Sequence, residues 1–109
     1  GVFVELNNGS ASDPNINEDA IFSVASIFDF LRTCETLDEM IQNIVTTKMD
    51  ASYIIQAANA QRAVSIEKPT FDARVIEQQN GALYALNNFA RPTYEPRSHN
   101  SWILQYREN

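Results

Sequence analysis

The chain has 109 residues and a formal net charge of −6 at pH 7. This acidic balance argues against general binding to duplex DNA or to anionic membranes, because both need an excess of Lys and Arg on the contact surface. The longest apolar run, residues 20–31, is also shorter than the roughly 20 residues that span a bilayer. We expect one small domain that folds without an internal disulfide, since Cys34 is the only cysteine.

The charge is divided unevenly between the two halves of the chain. Residues 1–50 carry nine carboxylates and two cations, a formal charge of −7, whereas residues 51–109 carry six cations and five carboxylates. An asymmetry of this kind is typical of proteins whose two halves meet different surfaces. It therefore points to partners rather than to a reaction.

A short strand is predicted at the N-terminus. Residues 2–6 are apolar or β-branched apart from Glu5, and they end at the turn-forming run of residues 7–10. A polar linker follows as far as residue 16. We therefore expect residues 1–16 to form a strand or extended arm followed by a linker.

The first predicted helix covers residues 17–33, with Asn17 as its N-cap. One stripe of apolar residues three and four apart predicts the face that meets the core, namely Ile21, Val24, Phe28 and Leu31. Phe22 and Phe30 fall outside this stripe. A helix that is apolar on two sides must be covered on both. Such a helix is either central to the domain or lies at an interface. We predict that Phe22 and Phe30 form a second apolar face at an interface with another subunit or a partner.

The second predicted helix covers residues 36–48. Thr36 and Glu39 have the spacing of a capping box, in which each side chain would accept the backbone N–H of the other residue. A clean amphipathic face follows in Leu37, Met40, Ile41, Ile44 and Val45. This capping box is the sharpest helix boundary that the sequence offers.

Two further helices are predicted, over residues 50–65 and 70–90. In the first, Asp50 would be the cap, and the small residues Ala57, Ala58 and Ala60 would let another helix approach closely. In the second, Asn80-Gly81 allows either a kinked helix or a hairpin turn. The predicted fold is therefore mainly α, a bundle of four helical segments over residues 17–90, with strands or arms at both ends.

The last segment, residues 91–109, is predicted to be a loop followed by a strand at residues 102–106. That strand could pair with the N-terminal strand. The segment interleaves arginines with aromatic rings, and its proposed binding residues are Arg91, Tyr94, Arg97, Trp102, Tyr106 and Arg107. Such a mixture fits single-stranded nucleic acid, because arginine binds phosphate and rings stack on bases. A protein interface fits these residues better than nucleic acid does, and an ordinary role in packing and surface ion pairs fits them best.

The inventory of catalytic residues is thin. A metal site needs three or four suitable ligands, and the chain has one His and one Cys, with no calcium-loop spacing among its carboxylates. Cys34 and His99 could act as nucleophile and base, but nothing in the sequence brings them together. We therefore expect no metal, no cofactor and no enzymatic activity.

Taken as a whole, the residues favour a non-catalytic protein–protein interaction or assembly module that self-associates or docks on a protein partner. The doubly apolar first helix, the tail and the charge asymmetry all support this hypothesis. Two alternatives stay open: a single-stranded nucleic-acid-binding protein that uses the tail, and a small enzyme with an unrecognised carboxylate site. Membrane association is not expected.

Overall fold

The fold combines two helices with an antiparallel sheet. A computed structural model describes residues 1–10, 13–20 and 22–78. Within them the elements, in chain order, are β1 (Phe3–Asn8), α1 (Ser23–Thr33), α2 (Leu37–Thr46), β2 (Tyr53–Ala58), β3 (Ala63–Lys68) and β4 (Arg74–Glu77). The prediction of a mainly α bundle is therefore wrong, because helix and strand contribute about equally to the described part of the chain.

The four strands lie in the sheet in their chain order, and every neighbouring pair is antiparallel. Leu6, Ile55, Ile66 and Val75 stand opposite one another across the four strands. Short connections join β2 to β3 and β3 to β4, whereas both helices lie in the connection between β1 and β2. This arrangement confirms the N-terminal strand and gives it β2 as a partner.

The core lies between the helices and one face of the sheet. The helices contribute Ile27, Leu37, Met40 and Ile44, and the sheet contributes Ile55, Ala57, Val64 and Ile66, with Met49 between them. On each strand the core residues alternate, since successive side chains point to opposite faces of a sheet. The apolar face predicted for α2 is confirmed, because its buried residues are Leu37, Met40 and Ile44.

The opposite face of the sheet is also buried at its centre. Ile54, Ser65 and Glu67 are only 2–3 % exposed and point away from the helices. Glu67 stands opposite Arg74 in the β3–β4 register and accepts hydrogen bonds from its guanidinium group. A carboxylate this deeply buried needs such a cation, because removing an unpaired charge from water is costly.

The predicted third helix, residues 50–65, is a hairpin. β2 and β3 pair along their full lengths, and a four-residue turn that begins at Asn59 joins them. The Asn59 side chain accepts the backbone N–H groups of Gln61 and Arg62 at 2.9 and 2.8 Å. Its oxygen takes the place of a backbone carbonyl as the acceptor for these groups inside the turn. The closely spaced alanines lie in β2 and in the turn rather than in a helix.

The predicted fourth helix, residues 70–90, is also wrong where it can be compared. Residues 74–77 form β4, the edge strand beside β3. Pro69 ends β3, and a connection of five residues precedes β4. Asn80-Gly81, the predicted C-terminal strand at residues 102–106 and the rest of the segment lie outside the described residues.

Candidate interaction surface

The start of α1 is fixed by a carboxylate from another part of the chain. Asp50, just before β2, accepts the backbone N–H of Ser23 at 3.2 Å, the Ser23 hydroxyl, and the Tyr53 hydroxyl at 3.2 Å. Asp50 thus performs the role of an N-cap, which Phe22 cannot fill. This contact explains why α1 begins at Ser23 and not at residue 17.

The hydrogen bonds at Asp50 also favour the charged form of its carboxylate. Burial alone would raise the pKa of Asp50, but hydrogen bonds from Ser23 and Tyr53 outweigh it and hold the pKa below the usual 3.8. A serine beside a carboxylate resembles part of a nucleophilic site. Ser23 is completely buried, however, so no substrate can reach its hydroxyl group. The cluster anchors the helix and is not an active site.

The linker before α1 is tied to the ends of β2 and β3. Asp13 is 3 % exposed, and its carboxylate accepts the backbone N–H and the hydroxyl of Thr70, both at 2.8 Å. Burial alone would raise the pKa of Asp13, but hydrogen bonds from Thr70 and Asn15 keep it below its usual value. Asn17, predicted as a helix cap, instead donates its side-chain N–H groups to the carbonyls of Met49 and Thr70.

The inner face of α1 consists of Ile27, Phe30 and Cys34. Ile27 is 7 % exposed, and Phe30 and Cys34 are half-buried against the core. Asn43 of α2 donates a hydrogen bond to the Cys34 sulfur at 3.0 Å, which joins the two helices at this point. Phe30, predicted to belong to an interface, therefore packs against the core of this chain. Phe22, predicted with it, is 61 % exposed at the N-cap position.

The outer face of α1 is apolar and exposed. We define this surface, the α1 outer face, as Val24, Phe28 and Leu31. Phe28 is 67 % exposed and Leu31 is 40 % exposed, while Val24 is half-buried. Their spacing of four and three residues aligns them along one side of the helix. The prediction that this stripe meets the core is wrong, because the core is met by Ile27 and Phe30 instead.

Other exposed apolar residues are distributed along the chain. Phe3 lies in β1, Ile16 in the linker and Phe71 in the β3–β4 connection, and their exposures are 60, 64 and 69 %. Single exposed apolar residues are normal on protein surfaces, whereas contiguous apolar patches are found at interaction sites and ligand grooves. The α1 outer face is such a patch.

Acidic groups lie at both ends of α1. Glu18 and Asp19 precede the helix, and Glu35 and Glu39 follow it. Asp19 forms an ion pair with Lys48 at 2.8 Å, but no cation in the described residues pairs with Glu18, Glu35 or Glu39. On the helix itself, Arg32 pairs with Asp29. The apolar surface is therefore bordered by negative charge.

The capping box at the start of α2 is confirmed, with one change. The Thr36 hydroxyl accepts the backbone N–H of Glu39 at 3.2 Å, as predicted. The Glu39 carboxylate accepts the N–H of Glu35 at 3.0 Å rather than that of Thr36. This bond fixes the segment between the two helices against the first turn of α2.

An open cleft of about 400 Å³ lies between the end of α2 and the β3–β4 connection. Its most buried charged residue is Lys68, which is 7 % exposed and donates to the carbonyl of Val45 at 3.1 Å. Burial lowers the pKa of Lys68. The ammonium group satisfies a carbonyl at the C-terminal end of α2, where a cation interacts favourably with the helix dipole. The residue therefore stabilises the helix end.

The described residues assemble no metal centre. No group of three His, Cys, Asp or Glu side chains in residues 1–10, 13–20 and 22–78 could hold a metal ion. In the same part of the chain no helix is both long and apolar enough to cross a membrane. His99 lies outside these residues, as do all six predicted tail residues, Arg91, Tyr94, Arg97, Trp102, Tyr106 and Arg107.

Comparison with known proteins adds no relative. No family model matches the chain, and no curated protein or solved structure is significantly similar to it.

Proposed function

We propose that this protein is a non-catalytic interaction module that docks on a protein partner through the α1 outer face. The observation that carries the proposal is the 67 % exposure of Phe28 in the middle of that face. Burying a Phe side chain fully gains about 1.5–3 kcal/mol. A partner that covers Phe28 would gain most of that free energy, because the ring contributes little to the fold.

The rigidity of α1 supports the same function. Its N-terminus is held by Asp50, its inner face is packed in the core through Ile27, and its C-terminal end is joined to α2 through Cys34 and Asn43. A side chain on a rigid element loses less conformational freedom on binding than one on a loop. The helix therefore presents Phe28 and Leu31 in a fixed geometry.

The size of the surface supports a hot spot rather than a whole interface. Aromatic side chains bury roughly 150–250 Å² each, and a standard interface buries about 800 Å² per partner. The α1 outer face contributes one aromatic side chain, Phe28, with the aliphatic Val24 and Leu31 beside it. The remaining area would come from the surrounding polar surface, which excludes water from the apolar centre. The six tail residues remain predicted to form a second contact with the partner.

Affinity purification with three forms of the full chain tests this function. The forms are the wild type, the double variant Phe28→Ser/Leu31→Ser, and the control Phe71→Ser, which alters an equally exposed ring on another segment. We expect one protein to bind the wild type and the control but not the double variant. That protein is then purified and its Kd measured against all three.

A check of folding makes the result decisive. Thermal unfolding must show that the double variant is folded, which we expect because both side chains are exposed. If the three forms retain the same proteins with the same affinity, the α1 outer face is not the docking surface and the proposed function is wrong.

A further inference from the structure

We infer that the α1 outer face binds a different protein whose apolar groove is edged by Lys and Arg, and not the α1 outer face of a second copy of this chain. This inference rests on the proposed docking function and identifies the partner's chemistry. It follows from the charges that border the surface and from the cations available in residues 1–50.

The border of the surface is negative at both ends. Glu18 lies before α1, beside Asp19, whose charge is paired with Lys48. Glu35 follows α1, and Glu39 lies in the first turn of α2. A groove that covers Phe28 and extends along the helix would pass close to these carboxylates. Lys and Arg at its two ends would meet them with opposite charge, which raises the rate of association and fixes the orientation of the partner.

A second copy that packed its own α1 outer face against this one would meet it with the wrong charges. If two α1 helices packed antiparallel, Glu35 of one copy would approach Glu18 of the other. If they packed parallel, each acidic end would meet its own equivalent. Both arrangements bring like charges together at the edge of the contact, which is unfavourable.

The cations of residues 1–50 do not relieve this repulsion between like charges. Residues 1–50 contain only Arg32 and Lys48, and each is already in an ion pair, with Asp29 and Asp19 respectively. A second copy could therefore supply a cation from this half only by breaking one of these pairs. Nucleic acid and anionic lipid are disfavoured for the same reason, because their phosphates would face the uncompensated carboxylates.

Selection from a randomised peptide library tests the inference on the full chain. Peptides are selected on the wild type and counter-selected against the folded variant Phe28→Ser/Leu31→Ser, so that only binders of the α1 outer face remain. We expect these peptides to contain apolar residues flanked by Lys and Arg. Their affinity should fall as NaCl is raised, since salt screens exposed charges.

A charge-reversal pair then separates the border from the apolar centre. Glu18→Lys/Glu35→Lys should weaken binding of the selected peptides on the order of tenfold. A single variant on the sheet, Glu5→Lys, serves as the control and should leave the affinity unchanged. Sedimentation of the wild type should give the mass of a monomer at every concentration tested.

Each other outcome has a distinct meaning. Selected peptides without basic residues, or with affinities that the charge reversal does not change, would overturn the inference while leaving docking on α1 intact. A dimer that Phe28→Ser dissociates would also overturn it and would identify the second copy as the occupant. If no peptide depends on α1 and the chain is monomeric, the proposed function itself fails.

Discussion

Ile27 and Phe28 are adjacent in α1, yet Ile27 is 7 % exposed in the core and Phe28 is 67 % exposed on the outer face. Successive helical residues point about 100° apart. Since the sheet and α2 cover only one side of α1, this rotation separates a residue that stabilises the fold from one that is available to a partner.

Alanine substitutions at these two positions should therefore have very different effects. Ile27→Ala should lower the free energy of unfolding by about 2–5 kcal/mol, because it leaves a cavity in the core. Phe28→Ala should change it by no more than about 0.5 kcal/mol. Urea unfolding measures both values. A larger loss for Phe28→Ala would mean that its ring is part of the core.

The capping box predicts a smaller and local effect. Thr36→Ala removes the hydroxyl that accepts the backbone N–H of Glu39, which should cost about 1 kcal/mol of unfolding free energy. Thr46→Ala in the last turn of α2 is the matched control, since its hydroxyl only donates to the carbonyl of Gln42. Equal unfolding midpoints for the two variants would show that Thr36 is not a functional cap.

The sequence predicted α2 well because its boundary is a local signal. The Thr36 hydroxyl and the Glu39 backbone N–H are three residues apart, and nothing distant in the chain changes their contact. The start of α1 could not be predicted in this way. Its capping group is Asp50, which is 27 residues away from Ser23, and the local sequence offered Asn17 instead.

The β2–β3 hairpin was missed because both faces of these strands are buried. A half-buried strand alternates apolar and polar residues, but Ile54 and Ile55 are both about 2 % exposed or less. Without alternation, a short apolar run looks the same in a helix and in a strand. The β-branched residues, together with Asn59 at the start of the turn, were the available signals for a hairpin.

The sequence indicated that α1 is apolar on two sides, but the residues were assigned wrongly. The stripe with Phe28 and Leu31 was predicted to meet the core, and Phe30 was predicted to meet a partner together with Phe22, which is exposed. Periodicity shows that a helix has two apolar faces and does not show which one the rest of the fold covers. In the structure α2 and the sheet cover Ile27 and Phe30, so the stripe containing Phe28 and Leu31 is the exposed one.

The buried ion pair of the sheet should be important for stability. Arg74→Ala removes the guanidinium from Glu67, which is 2 % exposed, and should cost about 3–5 kcal/mol of unfolding free energy. Arg62→Ala is the control, since Arg62 pairs with Asp38 and Glu77 at the surface, and its effect should be much smaller. Equal losses would show that the Glu67–Arg74 pair is effectively exposed to solvent.

Acid should destabilise the fold through Asp13 and Asp50. Both have a pKa below the usual 3.8 in the folded state, so their stabilising contribution is complete above the unfolded pKa. It is lost as the pH falls through the lower folded value. Asp13→Asn and Asp50→Asn should each reduce the loss of stability between pH 7 and the acid range, measured by urea unfolding. The control Glu18→Gln, at an exposed position, should lose as much stability in acid as the wild type. An equal loss of stability in all three variants would contradict the assignment of this loss to Asp13 and Asp50.

Hydroxyl-radical footprinting with and without a partner is the sharpest test of docking through the α1 outer face, because it reports the exposure of individual side chains. The partner is the protein recovered by affinity purification or a peptide selected on α1. In the free protein Phe28 and Phe71 should be oxidised readily, while Ile27 should be protected. At a saturating partner concentration Phe28 and Leu31 should become protected, and Phe71 should react as before. Protection of Phe28 in the free protein, or its continued oxidation when the partner is bound, would contradict the account.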